Sequence, residues 1–393
     1  MGNRHFPAAR LSGYRGGMKL RETAFAVAVV RQFTPNFFTV TMGTGIVMLD
    51  LLALLPGHPA LAAGLWLADT ALYALFAVLF TARLILFPET VEPMLRHPTM
   101  SMFLGAIPMG LVPVVNGCVL IGAGLFGPGM IAAAHVLWWA DAALAVGVAL
   151  IVPYRLFVHQ QHTLDRITPL WLLPIVGPEV TASGGAVLAP HLPPELAQQV
   201  VGASYLLWSM SVPFAFSIIT LVVLRYALHK LPEAGMAASI WLILGPIGTG
   251  SLGMVALGQA APAAFAGGPL VAAAEAARTT GLFCGLVLWG MGIWWLLIAC
   301  AATARYVRQG IPFNLGWWGY TFPLGVYTAA TLELAKTTGH PAFLVAGRAL
   351  FVLLAAAWIV VAFHTARSLL RRRLLYAPCL AKTETEPAWV PSL

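Results

Sequence analysis

The feature that most constrains this chain is a succession of apolar segments, running from Phe37 to Leu370 with no polar block between them. A helix needs about 20 mostly apolar residues to cross the hydrocarbon core of a bilayer. Ten stretches qualify: 36–56, 61–83, 99–120, 130–155, 167–190, 196–229, 236–261, 274–306, 313–335 and 341–370. Several exceed one bilayer thickness and are expected to tilt or protrude. Composition argues against buried helices of a soluble protein. Charged residues make up 9% of the 393 and hydrophobic ones 60%, against roughly 25% charged in soluble domains. So few charges cannot cover a surface that faces water, and lipid must be most of the solvent. The reading is an all-α membrane protein with a basic cytoplasmic tail over 1–31, a ten-helix membrane domain over 32–370 and a cytoplasmic C-terminal tail over 371–393.

The formal net charge is +8, and its placement is informative. One set of segment ends holds Arg31, Arg83, Arg96, Arg155, Arg166, Arg225, Lys230, Arg305, Arg308, Arg367 and the run from Arg371 to Arg373. The opposite ends hold Arg278, Lys336 and Arg348. By the positive-inside rule this alternation predicts an even number of spans with both termini cytoplasmic, in a multi-pass protein of the cell (inner) membrane. Charge confined to the gaps between spans is not the single basic face of a nucleic-acid binder. No small-residue cleavage site follows the first apolar stretch, so the basic start reads as a tail and not a removable signal. Cys118, Cys284, Cys300 and Cys379 have no metal-ligand spacing and read as small packing residues.

The odd segments share a feature that the even ones mostly lack. The third reads GAIPMGLVP with Pro108 and Pro113, and the fifth LLPIVGPEVTASGG with Pro174 and Pro178. The seventh reads LGPIGTGSLG with Pro246, and the ninth YTFPLGVY with Pro323. The first has Pro35 at its start and Gly43 and Gly45 at the matching depth. One helical hairpin separates each from the next, which predicts five hairpins in a quasi-fivefold ring. A proline within a helix removes a hydrogen bond and kinks it. The freed backbone groups are tolerated in a membrane only against protein or a water-filled cavity. Five such helices are therefore expected to surround a polar axis.

The odd segments carry hydroxyls in place of charge: Thr39, Thr41, Thr44, Thr181, Ser183, Thr249, Ser251, Thr328 and Thr331. Such groups, with kinked-helix ends, stabilise a passing anion without trapping it, while the basic rim raises its local concentration. Each hydroxyl taken singly is equally explained by bonding back to its own helix. Glu179, directly after Pro178, is an intramembrane carboxyl, a functional candidate for proton coupling as well as a candidate structural group. Asp50, Asp69, Asp141 and Glu333 read as interfacial or helix-packing residues, and Arg278 as the partner of Glu275 three residues before it. Lys336 has no obvious carboxylate partner. Phe322, before Pro323, is placed either to pack or to plug a narrow pore. No HExxH, GxSxG or P-loop pattern occurs, so neither an enzyme nor a metal or other cofactor is expected.

The strings FTPNFFTVTMGTGIVMLDLL at 33–52, LGPIGTGSLG at 244–253 and FNLGWWGYTFPLGVYTAAT at 313–331 resemble the tellurite-resistance/dicarboxylate transporter family. That family includes bacterial TehA, plant slow anion channels, yeast malic-acid permeases and fungal sulfite-efflux proteins. The resemblance extends over roughly residues 31–370. It implies ten helices in five hairpins, a pore lined by the odd helices and a homotrimer of independent pores. It also implies a gating phenylalanine at Phe322 and structural kinks at Pro108, Pro174, Pro246 and Pro323. The expected function is transport of small anions, either a C4-dicarboxylate such as malate or an inorganic anion such as sulfite, chloride or nitrate. Two alternatives stand beside it: a proton-coupled dicarboxylate carrier using Glu179, and a receptor or assembly protein with a vestigial pore.

Overall fold

The computed structural model describes residues 25–381. The expected tails fall mostly beyond these limits, at 1–24 and 382–393. Among the described residues all regular structure is helical. Nine helices among the described residues are long and apolar enough to cross a membrane: α1 (Pro35–Leu54), α2 (Pro59–Leu86), α3 (Met102–Phe126), α4 (Gly129–His159), α5 (Pro169–His191), α6 (Pro194–His229), α7 (Ala234–Ala264), α8 (Val271–Gln309) and α10 (Pro341–Leu370). Between the last two lies α9 (Phe322–Thr338), a shorter helix of 17 residues that continues from the 3₁₀ stretch Leu315–Tyr320. The chain is a multi-pass membrane protein. At 1.5 Å per residue, the 39 residues of α8 reach about 58 Å, well beyond the roughly 30 Å hydrocarbon core.

The prolines have a more specific role than the expected mid-span kinks. Each odd helix begins in a 3₁₀ stretch: Pro35–Phe37, Met102–Gly105, Pro169–Leu172, Ala234–Ile243 and Leu315–Tyr320. Pro108, Pro174, Pro246 and Pro323 then stand in the first turn of the α-helix that follows. Proline is tolerated in a first helical turn, where its ring pre-sets the backbone angle. These residues mark 3₁₀-to-α junctions. The prolines inside α-helix on odd helices are Pro113, Pro178 and Pro262. Gly43 and Gly45 do not break α1, which runs through them. They are close-approach positions, since a Cβ on Gly45 would collide with Pro113 of α3.

Burial separates two layers. In the most apolar window of each span, 72–89% of residues are buried for α1, α3, α5 and α7, against 17–33% for α2, α4, α6, α8 and α10. The odd helices pack in order, α1 on α3, α3 on α5, α5 on α7, α7 on α9 and α9 back on α1. Small residues allow this closeness. A Cβ on Gly248 of α7 would lie 2.8 Å from the Tyr327 amide nitrogen of α9, and one on Gly325 of α9 would strike Ile46 of α1. The even helices turn Val78, Phe157, Leu206, Val287 and Val352 outward.

Five tryptophans tie the layers together. Trp66 of α2 donates its indole N–H to the Val114 carbonyl of α3 at 3.2 Å, and Trp138 of α4 to the Thr181 carbonyl of α5 at 2.9 Å. Trp208 of α6 donates to the Gly250 carbonyl of α7 at 3.1 Å, and Trp289 of α8 to the Thr331 hydroxyl of α9 at 2.8 Å. Trp358 of α10 returns to the start of the chain, donating to Thr44 of α1 at 3.1 Å. One turn beyond each tryptophan stands a buried residue: Asp69, Asp141, Ser211, Gly292 and Val361. An indole N–H in a membrane needs an acceptor, and each even helix finds it on the next odd one.

The basic end is held by its arginines. Arg83 is fully buried and donates to the Phe33 carbonyl at 2.5 Å and the Thr90 hydroxyl at 3.0 Å. Arg225 donates to the carbonyls of Asp165 and Lys230. Arg96 and Arg155 both pair with Glu92. The described part of the C-terminal tail folds back here. The Ala377 amide donates to Gln32 at 2.7 Å, and Leu380 is buried.

Candidate functional site

Two cavities lie among the odd helices. The first, of about 260 Å³, sits at the basic end between the 3₁₀ stretches. Its polar side chains include Asn36, Thr39, Ser239 and Asn314, and no acidic or basic side chain lines it. Pro378 of the folded-back tail lines it too. The second, of about 730 Å³, lies toward the opposite end, with Asp50, Asn116, Ser183, Glu333, Lys336 and His340 among its lining. Among the described residues, Phe322 alone lines both. Its ring is 5% exposed, and its position is fixed by the end of the 3₁₀ stretch before it and Pro323 after it.

Of the expected pore hydroxyls, Thr39 lines the first cavity and Ser183 the second, and six others lie elsewhere. Thr41, Thr249 and Thr328 donate to the carbonyls of Phe38, Gly245 and Leu324 on their own helices. Thr181 bonds both the Gly177 carbonyl and, at 2.6 Å, the Asp141 carboxyl of α4. Ser251 donates to the Gly285 carbonyl of α8, and Thr44 receives Trp358. None of these six lines either cavity. A hydroxyl among tightly packed helices satisfies itself on the nearest carbonyl. Glu179 is fully buried on α5 and also lines neither cavity, and both its carboxyl oxygens are without a hydrogen-bond partner.

Other polar residues reach the cavities without belonging to that set of hydroxyls. Asp50 was placed with the interfacial acids, yet it is 1% exposed and lines the larger cavity. Asn36, Asn116, Ser239 and Asn314 were not singled out, although an amide within an apolar segment is itself a signal. Two expected pairings change. Lys336 pairs with Glu333 at 3.5 Å, one turn away on α9. No ion pair joins Glu275 to Arg278 among the described residues.

A model of the SLAC1 family, described as voltage-dependent anion channel, matches residues 32–366. The chain belongs to the SLAC1 family. Among its relatives is the sulfite efflux pump SSU1 of Arthroderma benhamiae, 34% identical over 351 residues that cover 88% of this chain and 92% of that one. An uncharacterized transporter of Methanocaldococcus jannaschii, MJ0576, is 28% identical over 86% of this chain and 93% of its own. The malic acid transport protein of Schizosaccharomyces pombe is 21% identical over 88% and 81% respectively. SLAC1-family relatives thus include transport proteins for sulfite and malate, and the family is one of transporters and channels, not enzymes.

Proposed function

We propose that this SLAC1-family chain moves small oxyanions of the sulfite and C4-dicarboxylate class across the membrane, along the axis enclosed by its odd helices, with Phe322 as the gate. The observation that carries this reading is the placement of Phe322 as the one lining residue common to the two cavities. A buried aromatic ring between two vestibules blocks passage by sterics and by excluding water. The quasi-fivefold, ten-helix arrangement belongs to the same proposal. The closed order of odd-helix contacts and the five tryptophan bonds, with α10 returning to α1, support it. A cytoplasmic basic end, by the positive-inside rule, belongs to the proposal as well. Assembly as a homotrimer, each subunit with its own pathway, completes the reading.

The test is anion flux into liposomes that hold the purified protein, native against Phe322→Ala, with sulfite, malate, chloride and nitrate. The expected result is at least a tenfold rise on truncation. A receptor with a vestigial pore predicts no flux from either protein. A second reading rests on the unpartnered carboxyl of Glu179: a group whose protonation changes the packing of α5 would couple protons to transport. Glu179→Gln then flattens the pH dependence of flux, and an unchanged profile removes Glu179 from the mechanism.

A further inference from the structure

The tryptophans that tie the layers together reach from an outer helix to an inner one. Two others among the described residues reach the opposite way, each from a 3₁₀ stretch. Trp241, in Ala234–Ile243, donates its indole N–H to the Thr303 hydroxyl of α8 at 2.8 Å. Trp318, in Leu315–Tyr320, donates to the Thr365 hydroxyl of α10 at 3.1 Å. The second bond lies beside the gate. Thr321, between Trp318 and Phe322, donates its amide at 3.1 Å and its hydroxyl at 2.8 Å to the Trp318 carbonyl. Trp318 and Phe322 are thus tied by two hydrogen bonds as well as by the chain. The Trp318 side chain is 2% exposed and lines the first cavity with Phe322. Its ring lies close against α1, where a Cβ on Gly43 would come within 2.5 Å of it.

Phe322 has two ways to leave the axis. Its ring can turn while the backbone stays, or the backbone can carry the ring away. The second way takes Trp318 along, because the Thr321 bonds join the two, and a shift of Trp318 away from α10 gives up its bond to Thr365. Thr365 is well held as an acceptor. Its own hydroxyl hydrogen goes to the Val361 carbonyl at 2.8 Å, and α10 is fastened to α1 by the Trp358 bond to Thr44. With Thr365 in place, the buried indole N–H is satisfied only in the seated position. Without that acceptor the seated position would hold an unpaired donor, which is costly, and a shift toward the first cavity would bring the N–H to water. Resting on the gate reading above, we infer that Trp318 and Thr365 are positioning residues that latch Phe322 across the pathway, and that the pathway opens when residues 315–322 shift away from α10.

The test is nitrate flux per reconstituted protein, since nitrate keeps its charge at every working pH. Thr365→Val, of nearly the same shape but without an acceptor, should raise flux about fivefold with Phe322 in place, the population shift of one lost hydrogen bond. Thr365→Ser restores the acceptor and should return flux toward the native level. In the Phe322→Ala protein the same Thr365→Val change should add nothing, because no gate is left to hold. Thr303→Val separates the latch from general loosening. It breaks the matching bond on a stretch that carries no gate, so it should lower the Tm and leave flux per protein unchanged. Trp318→Phe removes the N–H from the other side of the latch and should reproduce the rise, which decides the matter if Thr365→Val does not fold. Unchanged flux in whichever of these two folds overturns the latch and leaves gating to the turning of the ring. An equal rise with and without Phe322, or an equal rise in Thr303→Val, overturns it as well. Absence of any flux through Phe322→Ala overturns the gate reading itself.

Discussion

The two vestibules on either side of Phe322 differ in the opposite sense to what the charge of the chain suggests. The basic end carries most of the arginines, yet its cavity is lined by neutral groups such as Asn36, Thr39, Ser239 and Asn314. The opposite end is poor in basic residues, yet its cavity contains Asp50, Glu333, Lys336 and His340. The reason is where the arginines spend their hydrogen bonds. Arg83 and Arg225 bind loop carbonyls, and Arg96 and Arg155 share Glu92. Charge that sets orientation during insertion is here also the fastening of the loops. The charged side chains that line a cavity lie on the other side of Phe322.

That division predicts different consequences for cations at the two ends. The largest effect is expected at Arg83. Replacing it with Met leaves the Phe33 carbonyl and Thr90 buried without their donor, a loss of about 3 kcal/mol. Thermal unfolding in detergent should show a clear fall in Tm, with the ion preference of the folded fraction unchanged. A stable Arg83→Met protein with altered anion preference would break the comparison, because it would put this cation in the pathway. Lys336→Gln is the complementary case. Its side chain is 79% exposed, and its pair with Glu333 spans one turn, so stability should barely move. Flux is expected to fall two- to threefold for anions entering from the opposite end, through loss of local attraction, with a smaller change from the basic end. Vesicles of uniform orientation and an imposed gradient of either sign would measure both directions. Equal changes would mean that Lys336 acts on the fold and not on the ion.

Much of this architecture is legible in the sequence, and what is not has a physical reason. Span positions follow from apolar length, because a bilayer imposes its thickness on every helix. The inner layer is announced by small residues and prolines on the odd segments, where close approaches such as Gly45 to Pro113 and Gly248 to Tyr327 need them. The short α9 falls below spanning length by itself, because a turn at Thr321 separates it from the 3₁₀ stretch Leu315–Tyr320. Pore lining is less legible. Thr41 and Asn116 look equally suited to meet an ion, and the sequence does not say which one its own helix satisfies. Thr41 finds the Phe38 carbonyl at 2.9 Å, while Asn116 keeps an unpaired oxygen. A repeat did go unread: tryptophan on every even helix with a small, acidic or branched residue one turn on, as in WLAD at 66–69 and WWAD at 138–141. Such an inward stripe is hard to see in composition, because one such tryptophan per helix stands among apolar residues that face lipid.

The smallest predicted effect concerns His97, in the loop between α2 and α3. Its Nδ1 accepts the backbone amides of Thr99 and Met100, both at 3.2 Å, and those two residues line the neutral vestibule. Burial pushes the imidazole below the usual histidine range, and the two accepted bonds need the neutral ring. The folded protein therefore binds this proton less readily than the unfolded chain. The stabilising contribution is fully present above the ordinary histidine value and is lost as the pH falls through the lower, folded one. His97 is only half-buried, so solvent screens much of the effect and the fall in Tm on mild acidification should be small. His97→Asn, whose amide oxygen can take the place of Nδ1 without titrating, should remove that fall and keep the Tm at neutral pH. If the variant keeps the native pH dependence, the acid sensitivity lies elsewhere. The charged residues of the opposite vestibule would then be the first to examine, which would sharpen the contrast between the two ends.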